Sequence, residues 1–167
     1  MDGYTRRNTL RYPGYGYAQP GATLVTICTH NRQCLFGEVI DGRMMRTLGG
    51  QAAARAWSDL ENRFPGVEPD AFMIMPDHVH GIVLTGTDPA HEDVRMTVGI
   101  VVRSFKNSVL RAWRDGVEHH GWPRYYGHLW QKDVHDRIIR RGEPLDSVRA
   151  YIEGNPGRWQ ERQGRSS

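Results

Sequence analysis

Cysteine, lysine and long apolar runs are what this chain of 167 residues has least of. Its two cysteines, Cys28 and Cys34, sit six positions apart across an expected turn and fit neither a disulfide framework nor a zinc pattern. They read as a buried small residue and a loop residue. No segment approaches the roughly eighteen continuous apolar residues that a membrane span needs. Residues 1–7 (MDGYTRR) lead into polar and turn residues, not into the apolar core of a signal peptide. The expectation is a cytoplasmic protein with no membrane partner. There is no internal repeat and no low-complexity tract.

Lysine occurs only at positions 106 and 132, so twenty of the twenty-two basic residues are arginines. Arginine offers a planar fork that grips phosphate with two hydrogen bonds and stacks on bases. That bias suits a nucleic-acid partner, and a biased codon composition would produce it equally well. Net charge is +3, unevenly placed: residues 101–167 carry thirteen Lys/Arg against eight Asp/Glu, whereas residues 1–100 carry nine against eleven. Hydrophobic content of 38% and charged content of 25% are ordinary for a globular protein, and the length suits one well-buried domain.

Residues 1–21 form an arm whose glycines and prolines break any helical or strand period; tyrosines and Arg6, Arg7 and Arg11 alternate along it. Such an arm could stack bases and bind phosphates, or wrap over the domain surface. Residues 22–30 are rich in β-branched side chains and predict a strand, with an irregular connection over 31–42. Met44, Leu48, Ala52, Ala56 and Leu60 recur every fourth position and predict a helix over 43–64, stopped by Pro65-Gly66. Two apolar strands, 67–75 and 78–85, flank a turn at Pro76-Asp77, and 86–91 is a loop. A second amphipathic helix is expected over 93–114, with Val94, Val98, Val101, Phe105 and Ala112 on its apolar stripe and Gly116 breaking it. A short strand over 134–139 and a helix over 143–154, ended by Asn155-Pro156, complete the series.

Strand, helix, strand, strand, helix, strand, helix is the order of an α+β layer, a ferredoxin-like antiparallel sheet with helices packed on it. A single domain over 22–159 and a short tail over 160–167 are expected.

The run at 75–84, MPDHVHGIVL, puts His78 and His80 on one face of a strand, about 7 Å apart at the backbone. The pair is either half of a metal site or two partly buried, hydrogen-bonded histidines. Zinc would require more ligands, for which His30, His128, His135 and Cys28 stand at spacings that form no zinc pattern. A second constellation lies at 148–156, VRAYIEGNP. On a continuous helix Tyr151 and Asn155 would share a face, presenting a phenol beside a carboxamide. Packing of the tyrosine ring and a helix-ending role for Asn-Pro would account for the same residues. Gly154 between them lowers helix propensity by about 1 kcal/mol relative to alanine. His119 and His120 have no assigned role.

MPDHVHGIV followed far downstream by YIEGNP resembles the REP-associated tyrosine transposases of the HUH superfamily. The likeness extends to 12–37 (YPGYGYAQPGATLVTICTHNRQCLFG), 104–109 (SFKNSV) and 129–140 (LWQKDVHDRIIR), most of positions 11–159. The resemblance implies that His78 and His80 hold a divalent metal, that Tyr151 is the single nucleophile, and that Asn155 supplies a third, carboxamide ligand. It implies single-stranded or hairpin DNA as partner, in REP-like palindromes, and an association with the nucleoid. Neutral nitrogen and oxygen ligands with open positions suit Mg2+ or Mn2+. Expected DNA contacts are Arg6, Arg7 and Arg11 in the arm, Arg103 and Lys106 on the second helix, and Arg140 and Arg141 beside the last one.

The expected activity is metal-dependent nicking and joining of single-stranded DNA through a covalent 5′-phosphotyrosine, by a monomer or a homodimer. The alternatives are a hairpin-binding protein without catalysis and a small zinc-binding protein.

Overall fold

The computed structural model describes residues 5–6, 21–86, 98–140 and 142–165, with only the backbone pairing given for 5–6. Arg7, Arg11, Arg141, Val94 and most of the 86–91 loop lie outside the described residues.

Five strands form one antiparallel sheet in the order β1-β7-β2-β6-β5, with β1 at Thr5–Arg6, β2 at Gly21–Cys28, β5 at Val67–Ile74, β6 at His78–Thr85 and β7 at His135–Ile139. Thr5 pairs with Asp136 and Arg6 with His135, so the head of the arm contributes an edge strand. β6 lies inside the sheet, paired along its length with β2 on one side and β5 on the other. This is the expected α+β layer with His-x-His on an interior strand.

Alternation along the strands divides the apolar residues between two faces. On one, Val25, Ile27, Ile74, Val79 and Val83 pack with Trp57 of α1 (Leu48–Ser58) and Val101, Phe105 and Val109 of α3 (Val98–His119). On the other, Leu24, Ile82 and Ile139 pack with Val148 and Ile152 of α4 (Leu145–Glu153). His78 and His80, in phase with Ile82, belong to this second face. Gly81 points the opposite way, where an added Cβ would lie 2.2 Å from the Trp57 ring.

Three expectations need correction. The helix expected over 43–64 begins later. A hairpin, β3 at Gly37–Ile40 with β4 at Arg43–Arg46, occupies residues assigned to the connection and to the helix start. Its turn places Asp41 at φ 50° and Gly42 at φ 71°, the left-handed pair of a tight hairpin turn. Thr47 caps α1, its hydroxyl accepting from the Gly50 amide at 3.1 Å. The buried face of α1 is Gly49, Gly50, Ala52, Ala53 and Trp57, while Leu48 is exposed. A short helix α2, Leu60–Arg63, follows.

Gly116 does not end α3, which continues to His119; a Cβ at Gly116 would meet the Trp122 ring at 2.1 Å. The glycine is there for close packing, not for helix termination.

Nor does Asn155-Pro156 end the helical region. α4 stops at Gly154, and α5 runs from Asn155 to Arg165, across the expected start of the tail. Proline suits the first turn of a helix, where its missing N–H has no partner to lose. The hairpin touches α5 through Gly42, whose amide donates to the Gln160 side chain.

Candidate active site

The head of β6 and the junction of α4 with α5 bring the two constellations together. The rings of His78 and His80 are 4.5 Å apart between centroids, and the Tyr151 ring lies 6.0 Å from that of His80. Some seventy residues of sequence are bridged by packing α4 on the sheet through Val148 and Ile152, with the Arg149 guanidinium paired to Asp70 of β5. Tyr151 is 41% exposed and Asn155 2% exposed, so the phenol is open to solvent and the amide is not.

Each histidine has its Nδ1 engaged. Nδ1 of His78 lies 2.6 Å from Asp77 Oδ1, and Nδ1 of His80 lies 2.8 Å from the hydroxyl of Thr26, its cross-strand partner on β2. With the proton on Nδ1, each ring keeps a lone pair on Nε2 for an electrophile. Metal-binding histidines are oriented in this way by carboxylates and hydroxyls behind them. Burial, the neighbouring His78 and the charges of Arg32, Arg158 and Arg162 push the pKa of His80 down to about 3, so this imidazole stays neutral.

Asp77 is itself held. Its Oδ2 accepts from Arg32 Nε at 2.8 Å, and its carbonyl accepts from the amide and the hydroxyl of Thr29. Arg32 reaches it from a left-handed backbone, φ 55°, after Asn31 at φ 53°. Two consecutive non-glycine residues in that region are sterically costly, and such conformations persist where surrounding contacts fix them. The contacts here include the Thr29 hydroxyl, whose one proton is shared between the Gln33 carbonyl at 2.8 Å and that of Asp77 at 3.0 Å.

The third member of the expected ligand set is buried at the start of α5. The Nδ2 of Asn155 has no hydrogen-bond partner. That atom is an N–H donor; a carboxamide meets a hard divalent cation through its oxygen, which with the Nε2 atoms of two oriented imidazoles makes a nitrogen and oxygen donor set of the kind such a cation accepts. Among the described residues, no group of three or more His, Cys, Asp or Glu side chains is arranged to hold a metal. The zinc reading asked for a third such ligand. His30 and His128 instead pack edge-to-face on each other, 5.5 Å apart. Burial pushes the Cys28 thiol pKa up, disfavouring the thiolate that zinc would need, and the sulfur accepts from Arg32.

Sequence reasoning passed over Asp77, Thr26, Arg32, Arg158 and Trp159. Asp77 lies inside the run at 75–84, where its place after Pro76 and before the strand marks it only as a turn residue. Arg158 lies over the Tyr151 ring, 4.3 Å from its centroid, and Trp159 lies 6.0 Å from the ring of His78. Nothing local marks either; the break at Gly154 turns them toward the site. Of the expected DNA contacts, Arg103 is exposed on α3 and Arg140 is exposed at the end of β7. Lys106 donates to the Gln131 carbonyl at 2.7 Å, which ties α3 to the segment before β7.

No described helix is long and apolar enough to cross a membrane. No protein-family model matches the chain. An uncharacterised protein of Haemophilus influenzae is 30% identical over 176 residues, spanning 96% of this chain and 94% of that protein. Two solved structures share the fold. One is a REP-associated tyrosine transposase bound to a REP hairpin, with TM-score 0.51 and 17% identity over 79% of this chain; the present chain spans 62% of its length. The other is a protein of Deinococcus radiodurans R1 provisionally assigned as a transposase, with TM-score 0.51 and 20% identity over 85% of this chain and 95% of that one. The chain belongs to one family with the Haemophilus protein, and its fold is that of the REP-associated tyrosine transposases.

Proposed function

We propose that this protein is a metal-dependent single-stranded DNA endonuclease and strand transferase that acts on hairpin-forming palindromic DNA. The observation that carries the reading is the approach of a solvent-open tyrosine, Tyr151, to two oriented imidazoles, His80 at 6.0 Å and His78 beside it. A half-exposed phenol can meet a polymeric substrate, and of the imidazoles behind it His80 is held in the neutral form that binds cations.

Tyr151 Oη attacks the scissile phosphorus while the bond from phosphorus to the 3′-oxygen breaks. The departing oxygen takes up a proton, leaving a free 3′-hydroxyl and a 5′-phosphotyrosine. Because a phenolate leaves more readily than an alkoxide, a DNA 3′-hydroxyl can then displace the tyrosine and restore a phosphodiester. His78, His80 and Asn155 would hold Mg2+ or Mn2+, which when bound supplies charge neutralisation to a phosphodiester that otherwise repels its nucleophile. Thr26 and Asp77 fix the imidazoles, and Arg158 fixes the tyrosine. Arg103, Arg140, Arg141 and the arm residues Arg6, Arg7 and Arg11 are proposed phosphate contacts, with Lys106 in the same role where its bond to Gln131 is released.

The similar transposase solved with a REP hairpin supports a DNA hairpin as the partner class. The test is incubation of end-labelled single-stranded hairpin DNA with the protein and Mg2+ or Mn2+. A protease-sensitive adduct is expected, lost in Tyr151→Phe and in His78→Ala. An adduct that survives Tyr151→Phe would sink the assignment of the nucleophile.

A further inference from the structure

Tyr126 is 82% exposed, yet its backbone is clamped on both sides by one side chain ninety-three residues away. Its amide donates to Gln33 Oε1 at 2.9 Å and its carbonyl accepts from Gln33 Nε2 at 3.1 Å, while the same Nε2 donates to the His30 carbonyl. The segment before it is fixed as well, since Trp113 Nε1 donates to the Pro123 carbonyl at 2.9 Å. Beyond it, His30 N donates to Leu129 O and Thr29 bridges to Trp130, just past the end of β2. Gly121 and Gly127, both at positive φ, bracket the loop. An aromatic ring left to solvent on a backbone this tightly held is displayed, not merely unburied.

The surroundings indicate what the ring is displayed to. Residues 121–128 and 29–34 carry Arg124, His128, His30 and Arg32 and contain no Asp or Glu, and of these Arg32 is already paired with Asp77. An exposed aromatic face two residues from Arg124 and beside the packed pair of His30 and His128 suits a nucleobase. The clamp is also continuous with the site: Gln33 follows Arg32, and Arg32 holds the Asp77 carboxylate that orients His78. A strand stacked at Tyr126 is thereby bound to the same short segment that fixes the metal-ligand histidine.

We propose that Tyr126, presented by the Gln33 clamp, is a stacking platform for an unpaired base of single-stranded DNA that flanks the hairpin. The inference rests on the DNA-processing reading above. Stacking is indifferent to base identity because every base has a π-face, so the platform adds affinity for unpaired DNA without reading sequence. Tyr126 is not part of the cleavage chemistry.

The experiment compares full-length wild-type, Tyr126→Phe, Tyr126→Ala and Gln33→Ala proteins by fluorescence anisotropy. The probes are a DNA hairpin carrying a mixed-sequence single-stranded flank and the same hairpin without it. Tyr126→Ala is expected to bind the flanked hairpin about tenfold more weakly, the size of one lost base stack. Tyr126→Phe should bind like wild type, and binding of the unflanked hairpin should be unchanged in every variant. Gln33→Ala, which frees the ring without removing it, should fall between. Wild-type affinity of Tyr126→Ala for the flanked probe overturns the inference, as does an equal loss on both probes. Failure of the DNA-processing reading is seen separately, as no covalent adduct from the wild-type protein; absence of any binding to the flanked probe overturns both.

Discussion

The Arg158 guanidinium stacks on the ring of Tyr151 and donates to that residue's own carbonyl. Both contacts cross the break between α4 and α5, and an added Cβ at Gly154 would meet Arg158 Nη1 at 2.9 Å. Glycine at 154 therefore leaves room for the arginine. A cation over a partly exposed ring is worth about 1 kcal/mol, so replacing Arg158 by leucine should slow adduct formation at saturating DNA by several-fold. Arg158→Lys should recover part of the rate. Single-turnover measurement with labelled DNA separates this positioning effect from weaker binding, and an unchanged rate in Arg158→Leu would remove the arginine from the mechanism.

Asp77 is the group behind His78. Converting it to asparagine replaces a charged acceptor by a neutral amide and leaves Arg32 without its partner carboxylate. Loss of such an orienting carboxylate typically weakens metal affinity by about 10- to 100-fold. Calorimetric titration of wild-type and Asp77→Asn proteins with Mn2+ measures this directly, without DNA. Equal affinities would mean that Asp77 serves the fold alone.

Behind the same strand, Gly81→Ala forces a methyl group toward the Trp57 ring. Overpacking of this kind costs about 1–3 kcal/mol. A thermal melt should show the midpoint lowered by several degrees.

Acid should loosen α4. Two hydrogen bonds from the Arg149 guanidinium hold the Asp70 carboxyl below the usual carboxylate range. A carboxyl with a depressed folded-state pKa contributes its stabilisation in full above the unfolded value near 4, and loses it as pH falls through the folded value. Denaturant titrations between about pH 2 and 7 should therefore show Asp70→Asn less stable than wild type at neutral pH, with the difference closing in acid. A constant difference across that range would exclude the linkage.

The sheet and the two histidines were legible because the strands at 67–85 are dense apolar runs whose alternation is local. The β3–β4 hairpin was hidden by a coincidence: Met44 continues the four-residue spacing of Leu48, Ala52, Ala56 and Leu60, although it lies on a strand. Asp41-Gly42 was the available signal, since that dipeptide favours the two left-handed positions of a tight hairpin. Gly116 misled because a glycine that breaks a helix and one that admits a tryptophan are the same letter. Asn155-Pro156 misled in the other direction, as a stop that proved to be a start.

At the site, the candidate residues were visible and the groups that hold them were not. Thr26 is a strand threonine until β2 pairs with β6 and sets it opposite His80. Arg32 meets Asp77 across forty-five residues and Trp159 meets His78 across eighty-one. Such pairs are products of topology and carry no period along the chain.

Gly154 gives the site a mechanical property. α4 is moored to the sheet by Val148, Ile152 and the Asp70 pair, whereas α5 is moored by its buried first turn and by the hairpin at Gly42. Tyr151 and Asn155 thus ride on two separately fastened rods that meet at one joint. The gap between phenol and amide is therefore set by both moorings at once, with Gly154 the single residue between the two rods.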